Sequence, residues 1–111
     1  MEKKEFQKLF KELMDTLKMP AGEVAKMIKV SFPTLKRWYD GVSAPHKSGR
    51  KSVIELLYAE QQHQEKVKFI KNVLKDSLTI SINGPRHWEP YFKVNLKLDG
   101  EIFTTEYFEI D

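Results

Sequence analysis

The stretch AKMIKVSFPTLKRWYDG, residues 25–41, puts a proline inside what otherwise reads as a short helix, surrounds it with lysine and arginine, and closes on glycine. Ser31 is a good helix N-cap, because its hydroxyl can accept a hydrogen bond from a first-turn amide, and Pro33 then falls where proline costs little. Leu35 and Trp38, three residues apart, form the side expected to be buried, and Asp40-Gly41 supplies the left-handed residue that stops the helix. The result is a helix of about two turns. Ahead of it a second short helix is expected to begin at Pro20, a residue favoured in the first helical turn, with Val24, Ala25 and Ile28 inward and Met27 at the margin.

Outward from these two elements the patterning stays helical on both sides. Upstream, Phe6, Leu9, Phe10, Leu13, Met14 and Leu17 recur at steps of three and four, which gathers them on one stripe of a helix. Downstream, VSAPHKSGR (42–50) is rich in turn formers and reads as a loop. From Lys51 to Ser77 there is no glycine or proline, and two apolar clusters, Val53, Ile54, Leu57, Tyr58 and then Val67, Ile70, Val73, Leu74, flank the polar AEQQHQEK. That pattern fits either one long helix or two with a joint near residues 62–64.

After Leu78 the period changes to two. LTISI alternates, NGP turns, and YFKVNLKL alternates again with Phe92, Val94, Leu96 and Leu98 on one face. Asp99-Gly100 is a two-residue hairpin signal, and EIFTTEYFEI returns. Pairing Leu98 with Glu101 sets Leu96 opposite Phe103, Phe92 opposite Tyr107 and Lys93 opposite Glu106. A three-stranded antiparallel sheet of this size needs a cover, from the second half of the long helix or from another copy of the chain. The expected fold class is therefore α+β. A helical bundle of four or five helices carrying a helix-turn-helix occupies residues 1–62, and a helix with a small antiparallel sheet ending in a hairpin occupies residues 63–111.

Composition narrows what such a chain can do. Its 111 residues suit one compact domain, or one small domain with an appendage, and leave little room for a deep catalytic cleft. Without cysteine, disulfides and thiolate zinc sites are excluded. The charged, amphipathic start MEKKEFQKLFKEL is unlike a secretory leader, no membrane span is expected, and a cytoplasmic location is the natural expectation. The net charge of +3 conceals a division: residues 1–77 carry 16 Lys/Arg against 10 Asp/Glu, whereas residues 78–111 carry 3 against 6. A polyanion meeting the first part fits that asymmetry.

Two short helices joined by a tight turn, the second capped by serine and exposing cations, meet the requirements for major-groove binding. EVAKMIKVSFPTLKRWYDGVSAP resembles the helix-turn-helix domains of the phage repressor and Cro type, the XRE family, over about residues 5–60. Ala25 matches the small residue where the two helices cross, Val30 the branched residue after the turn, and Leu35, Trp38, Gly41 and Pro45 the positions that follow. The chain departs from that pattern at Lys29, where the family usually has glycine; the turn must either accept a strained conformation or differ slightly. Tyr39 stands where glutamate is frequent, and the 46–50 loop is longer than usual.

The resemblance implies a sequence-specific transcriptional regulator, a dimeric repressor or autorepressor of phage or plasmid type binding a palindromic operator in double-stranded DNA. Residues 32–39 would read the major groove, with Phe32, Pro33, Thr34, Lys36 and Arg37 presented to DNA behind the Ser31 cap. Phe32 and Pro33 lack donors and suit a thymine methyl, Thr34 can add a hydrogen bond, Arg37 can grip guanine or a phosphate, and Lys36 suits a phosphate. The amides near Ala21 and Gly22 suit another phosphate, and Ser43, His46, Lys47, Ser48, Arg50 and Lys51 offer further backbone contacts. With about four phosphates neutralised per subunit, affinity should fall with salt at a log-log slope of roughly −4.

Dimerisation is assigned to the C-terminal region through Phe92, Val94, Leu96, Phe103 and Tyr107. The alternative is a bifunctional protein, an antitoxin or a phage-encoded inhibitor of a host defence, whose acidic C-terminal region binds a protein partner. Several features read as structural. The Lys66, Lys68, Lys71 and Lys75 series is a solvated helix face, and Trp88 in GPRHWEP (84–90) caps the sheet in preference to forming a recognition loop. His46, His63 and His87 share no metal-ligand spacing, so no metal or cofactor is expected. No nucleophile and base pair or glycine-rich nucleotide loop is visible, and an enzyme is not expected.

Overall fold

A computed structural model describes residues 1–110, and of Lys75 the backbone alone. Helix α1 (Lys3–Thr16) buries Phe6, Phe10 and Leu13, and Leu17, which ends it, is buried as well. Helix α2 (Ala21–Met27) buries Val24 and Ala25, with Ile28 at its end also buried; Pro20 is its N-cap, one position before the first helical residue. Helix α3 (Phe32–Tyr39) buries Leu35 and Trp38. Helix α4 (Lys47–Leu74) runs unbroken through AEQQHQEK, so the joint near residues 62–64 does not form. Alanine, glutamate, glutamine and lysine all favour helix, and no breaker interrupts them. The described residues thus hold four α-helices, followed by a 3₁₀ turn, Lys75–Ser77, and three strands.

The chain divides into two compact units, Met1–Gln64 and Glu65–Asp111, with α4 contributing to both. In the first unit, Phe6, Phe10, Leu13, Leu17, Val24, Ala25, Ile28, Leu35, Trp38 and Leu57 form one core. Its centre is aromatic. Phe6 and Phe10 stack at 5.3 Å, one turn apart on α1, and the Trp38 indole meets both rings edge-on at 5.9 and 6.0 Å. Contacts of this geometry add about 0.5–1.5 kcal/mol each beyond the area they bury. They hold α3 against α1 by one face and leave its other face to solvent.

In the second unit the strands β1 (Leu78–Asn83), β2 (Tyr91–Leu98) and β3 (Glu101–Glu109) form an antiparallel sheet in the order β1-β2-β3. Asp99 and Gly100 both take positive φ, 54° and 82°, as a tight hairpin with the strands' own twist requires. Leu98 pairs with Glu101 as expected, and Lys97 with Ile102, but Leu96 then pairs with Thr104 because Phe103 is an extra residue at a bulge.

Beyond the bulge every β3 residue changes face. Phe92 meets Phe108 instead of Tyr107, Lys93 meets Tyr107, and Glu106 meets Val94 instead of Lys93. The long-range partners explain the shift. It brings Glu106 to an ion pair with Lys71 of α4, sets Tyr107 edge-on to the buried Tyr91 at 5.6 Å, and lets the Thr105 hydroxyl donate to the Asn95 side-chain carbonyl at 2.7 Å. Lys71 is therefore tied to the sheet and not merely solvated, while the Lys75 side chain lies outside the described residues.

Candidate nucleic-acid interface

The geometry of the surface around α3 begins with how α2 ends. The Val30 amide donates to the Ala25 carbonyl at 3.0 Å and the Lys29 amide to the Lys26 carbonyl at 3.2 Å. This pair of bonds requires a left-handed residue between them. That residue is Lys29, at φ 60°, exposed to solvent. Of the two outcomes open for a turn without glycine, the strained one occurs, at a cost of about 1–2 kcal/mol to an L-residue. Val30 returns to pack on the core, which fixes the direction in which α3 leaves.

Ser31 caps α3: its Oγ accepts from the Thr34 amide at 3.3 Å. The same hydroxyl donates to Thr34 Oγ1 at 2.8 Å, and Arg37 Nη2 donates to that oxygen at 3.1 Å. Residues 31, 34 and 37 thus form one hydrogen-bonded line along the helix. Ser31, Phe32, Pro33, Lys36 and Arg37 are exposed and Thr34 is half-buried, with Phe32 at 52 % of its full exposure. Phe32 does not close the core.

At its far end α3 is stopped by the same device used at α2, here with glycine. Val42 and Gly41 amides donate to the Arg37 and Trp38 carbonyls at 3.0 and 3.2 Å, and Gly41 has φ 76°. A Cβ on Gly41 would also overlap the Gln7 side-chain amide. Tyr39 spans back to α1, its hydroxyl donating to Asp15 Oδ1 at 2.7 Å while the Lys11 ammonium lies 5.6 Å from its ring. The hydrogen bond to Asp15, with lost hydration and the charges of Asp15 and Asp40, pushes the phenol above its ordinary value.

The remaining positions expected to face DNA have mixed environments. Gly22 is exposed with open space where a Cβ would stand, and Ala21 is half-buried. Pro20 gives the start of α2 no side-chain cap, and Glu23 in its first turn pairs with Lys26 at 3.5 Å. Ser43 is half-buried, and its amide reaches the Arg37 carbonyl at 3.4 Å. His46 Nδ1 accepts from the Ser48 amide at 3.3 Å and lies 3.0 Å from its hydroxyl, so both residues are engaged at the start of α4. Lys47 is exposed, and Lys51 is exposed but pairs with Glu55 at 3.8 Å.

Arg50 differs most from a phosphate contact. Half-buried, it donates through Nε to the Pro45 carbonyl at 2.9 Å and through Nη1 to the Met1 carbonyl at 3.2 Å, tying the loop to the chain start. Lys29 was not among the expected contacts, yet it is an exposed cation two residues before the Ser31 cap. Its position in a left-handed turn was the available signal.

On the second unit, Phe92, Val94 and Leu96 share one face, but Leu96 is only 5 % exposed and Tyr107 turns to the opposite face. Phe108 takes the place expected for Tyr107, and Phe103 is half-buried at the bulge. The apolar surface left open on that face is Ile80 and Ile82 of β1, each 66 % exposed, with Phe92 and Phe108. Trp88 does not cap the sheet. It is 64 % exposed, with the Arg86 guanidinium 5.5 Å from its ring and the His87 ring edge-on at 4.6 Å.

Among the described residues no group of three or more His, Asp or Glu is placed to hold a metal ion, and no helix is long and apolar enough to cross a membrane. Comparison of the chain with protein-family models, curated proteins and solved structures finds no match.

Proposed function

We propose that this protein is a sequence-specific DNA-binding regulator whose α2 and α3 act as a helix-turn-helix, with residues 32–39 entering the major groove. The observation that carries the reading is the bonded line Ser31–Thr34–Arg37 on the solvent face of a helix whose other face is locked by Leu35 and Trp38. A donor-bearing ridge fixed in this way meets base edges with little entropy left to lose. Lys29, Lys36 and Lys47 add exposed charge suited to phosphates.

With Arg50 committed internally, about three to four phosphates per subunit remain a reasonable count, and log affinity should fall with log salt at a slope of roughly −3 to −4. Selection from a random duplex pool followed by anisotropy titration tests the proposal. Arg37→Ala should relax the preferred sequence, and Lys36→Ala should weaken all sequences alike and reduce the slope by about 1. Equal binding of selected and random duplexes would reject sequence-specific regulation.

A helix of eight residues, about 12 Å long, covers only a few base pairs. A dimer acting as a repressor on a palindromic operator supplies the rest, and the open strip of Ile80, Ile82, Phe92 and Phe108 is the surface offered for it. Ile82→Glu should yield a monomer in sedimentation and weaken full-operator binding while single half-sites bind unchanged. The same strip also favours a second reading, in which the C-terminal unit captures a protein partner. A chain that stays monomeric at high concentration yet keeps this strip exposed would shift the choice to it.

A further inference from the structure

We infer that α3 selects keto bases, guanine and thymine, on the strand it faces. The inference rests on the DNA-binding reading above and follows from counting donors and acceptors on the exposed ridge. Thr34 Oγ1 accepts from both the Ser31 hydroxyl and Arg37 Nη2, which uses both of its lone pairs and leaves its proton for an outside acceptor. Arg37 keeps four N–H donors and Lys36 three, and neither has an acceptor. Phe32 and Pro33 have neither.

Acceptors are scarce on this surface. One of the two Ser31 lone pairs is taken by the Thr34 amide, so a single lone pair remains at the cap. The Tyr39 hydroxyl gives its proton to Asp15 and keeps acceptor capacity, but it is drawn back to α1 at the opposite end of the helix from Ser31. The nearest carboxylate of the helix, Asp40, sits at its C-cap, at the opposite end from Ser31.

Such a ridge discriminates among bases by sign. Guanine presents two major-groove acceptors, N7 and O6, and thymine presents the O4 acceptor beside a methyl group. Cytosine presents only an amino group, and adenine sets an amino group beside its N7 acceptor; a donor can reach that N7, but the amino group next to it would face the remaining donors and leave both unpaired away from water. Phe32, more than half exposed, and Pro33 add an apolar surface that matches the thymine methyl. The tether from Thr34 to Arg37 also holds the guanidinium before binding, so less rotamer freedom is lost when it grips a guanine edge.

The test is a set of three selections from a random duplex pool, with the wild-type protein, Arg37→Gln and Thr34→Val. A carboxamide sets an amino donor beside a carbonyl acceptor, matched to adenine N7 and N6. The base that changes from guanine to adenine between the first two selections marks the Arg37 position. There, 7-deazaguanine, which lacks N7, should weaken wild-type binding by roughly 5- to 150-fold, and uracil for thymine at the neighbouring selected positions should weaken it a few-fold. Thr34→Val is the second variant. It removes the hydroxyl and releases the guanidinium, and should broaden selection at the Arg37 position and at its neighbours.

The outcomes separate the two levels of the argument. A pool with no enriched sequence removes DNA recognition itself. An enriched site with adenine or cytosine at the Arg37-dependent position overturns the keto-base inference and leaves DNA binding standing. Identical selections by wild type and both variants do the same.

Discussion

Replacing Lys29 by glycine should stabilise the protein, although it removes a side chain and adds backbone freedom to the unfolded chain. Lys29 occupies the left-handed position between two helix-ending hydrogen bonds of 3.2 and 3.0 Å, at φ 60°. An L-residue there costs about 1–2 kcal/mol, which glycine does not incur. Against this, glycine loses about 0.4–1 kcal/mol more on folding because its unfolded ensemble is larger. The net gain spans about 0–1.6 kcal/mol and centres near 0.8 kcal/mol, which for a unit of this size raises the melting temperature by about 3–6 °C.

Lys29→Ala is the control, since it discards the charge and keeps the Cβ. Thermal unfolding followed by helical circular dichroism should place the alanine variant near the wild type and the glycine variant above both. If the two variants melt together, the left-handed strain is not where the energy lies, and the account of this turn fails. The same pair reports on DNA. Both variants should lose about one unit of salt slope if Lys29 meets a phosphate, since both lack the cation.

Gly41→Ala should cost at least about 1–2 kcal/mol in urea unfolding, from its positive φ alone. Adding Gln7→Ala removes the overlap with the new Cβ, so it should recover part of the loss and not the part due to φ. The Tyr39 phenol is raised by its bond to Asp15, so its stabilisation is present below the unfolded tyrosine value of about 10 and is lost as pH rises through the higher folded value. Urea midpoints between about pH 9 and 12 should therefore fall more steeply for the wild type than for Tyr39→Phe, and parallel curves would dismiss the coupling. Trp88→Ala should change stability by no more than about 0.5 kcal/mol, because its ring stands in solvent; a loss of several times that would mean the residue is part of the core.

Local chemistry determined much of this molecule. The α1 stripe, the Ser31 cap with Pro33 behind it, the burial of Leu35 and Trp38, the stop at Gly41 and the Asp99-Gly100 turn all depend on neighbours three or four residues away or on one residue's backbone preference. Such interactions are written directly into residue order. The ridge formed by residues 32–37 was legible for the same reason, since helical periodicity that buries positions 35 and 38 must expose those between.

What only the tertiary structure decided depends on partners far along the chain. The bulge at Phe103 is favoured by α4, through Lys71 and Glu106, 35 residues apart, and by the Tyr91–Tyr107 contact across the sheet. Arg50 resembled a free cation until its guanidinium met the carbonyl of Met1, 49 residues away. A period of two cannot announce where one extra residue will enter a strand, and a charge in the first turn of a helix does not reveal which carbonyl will satisfy it. Those outcomes are set when packed surfaces compete for the same side chains, a competition that exists only once the chain has folded.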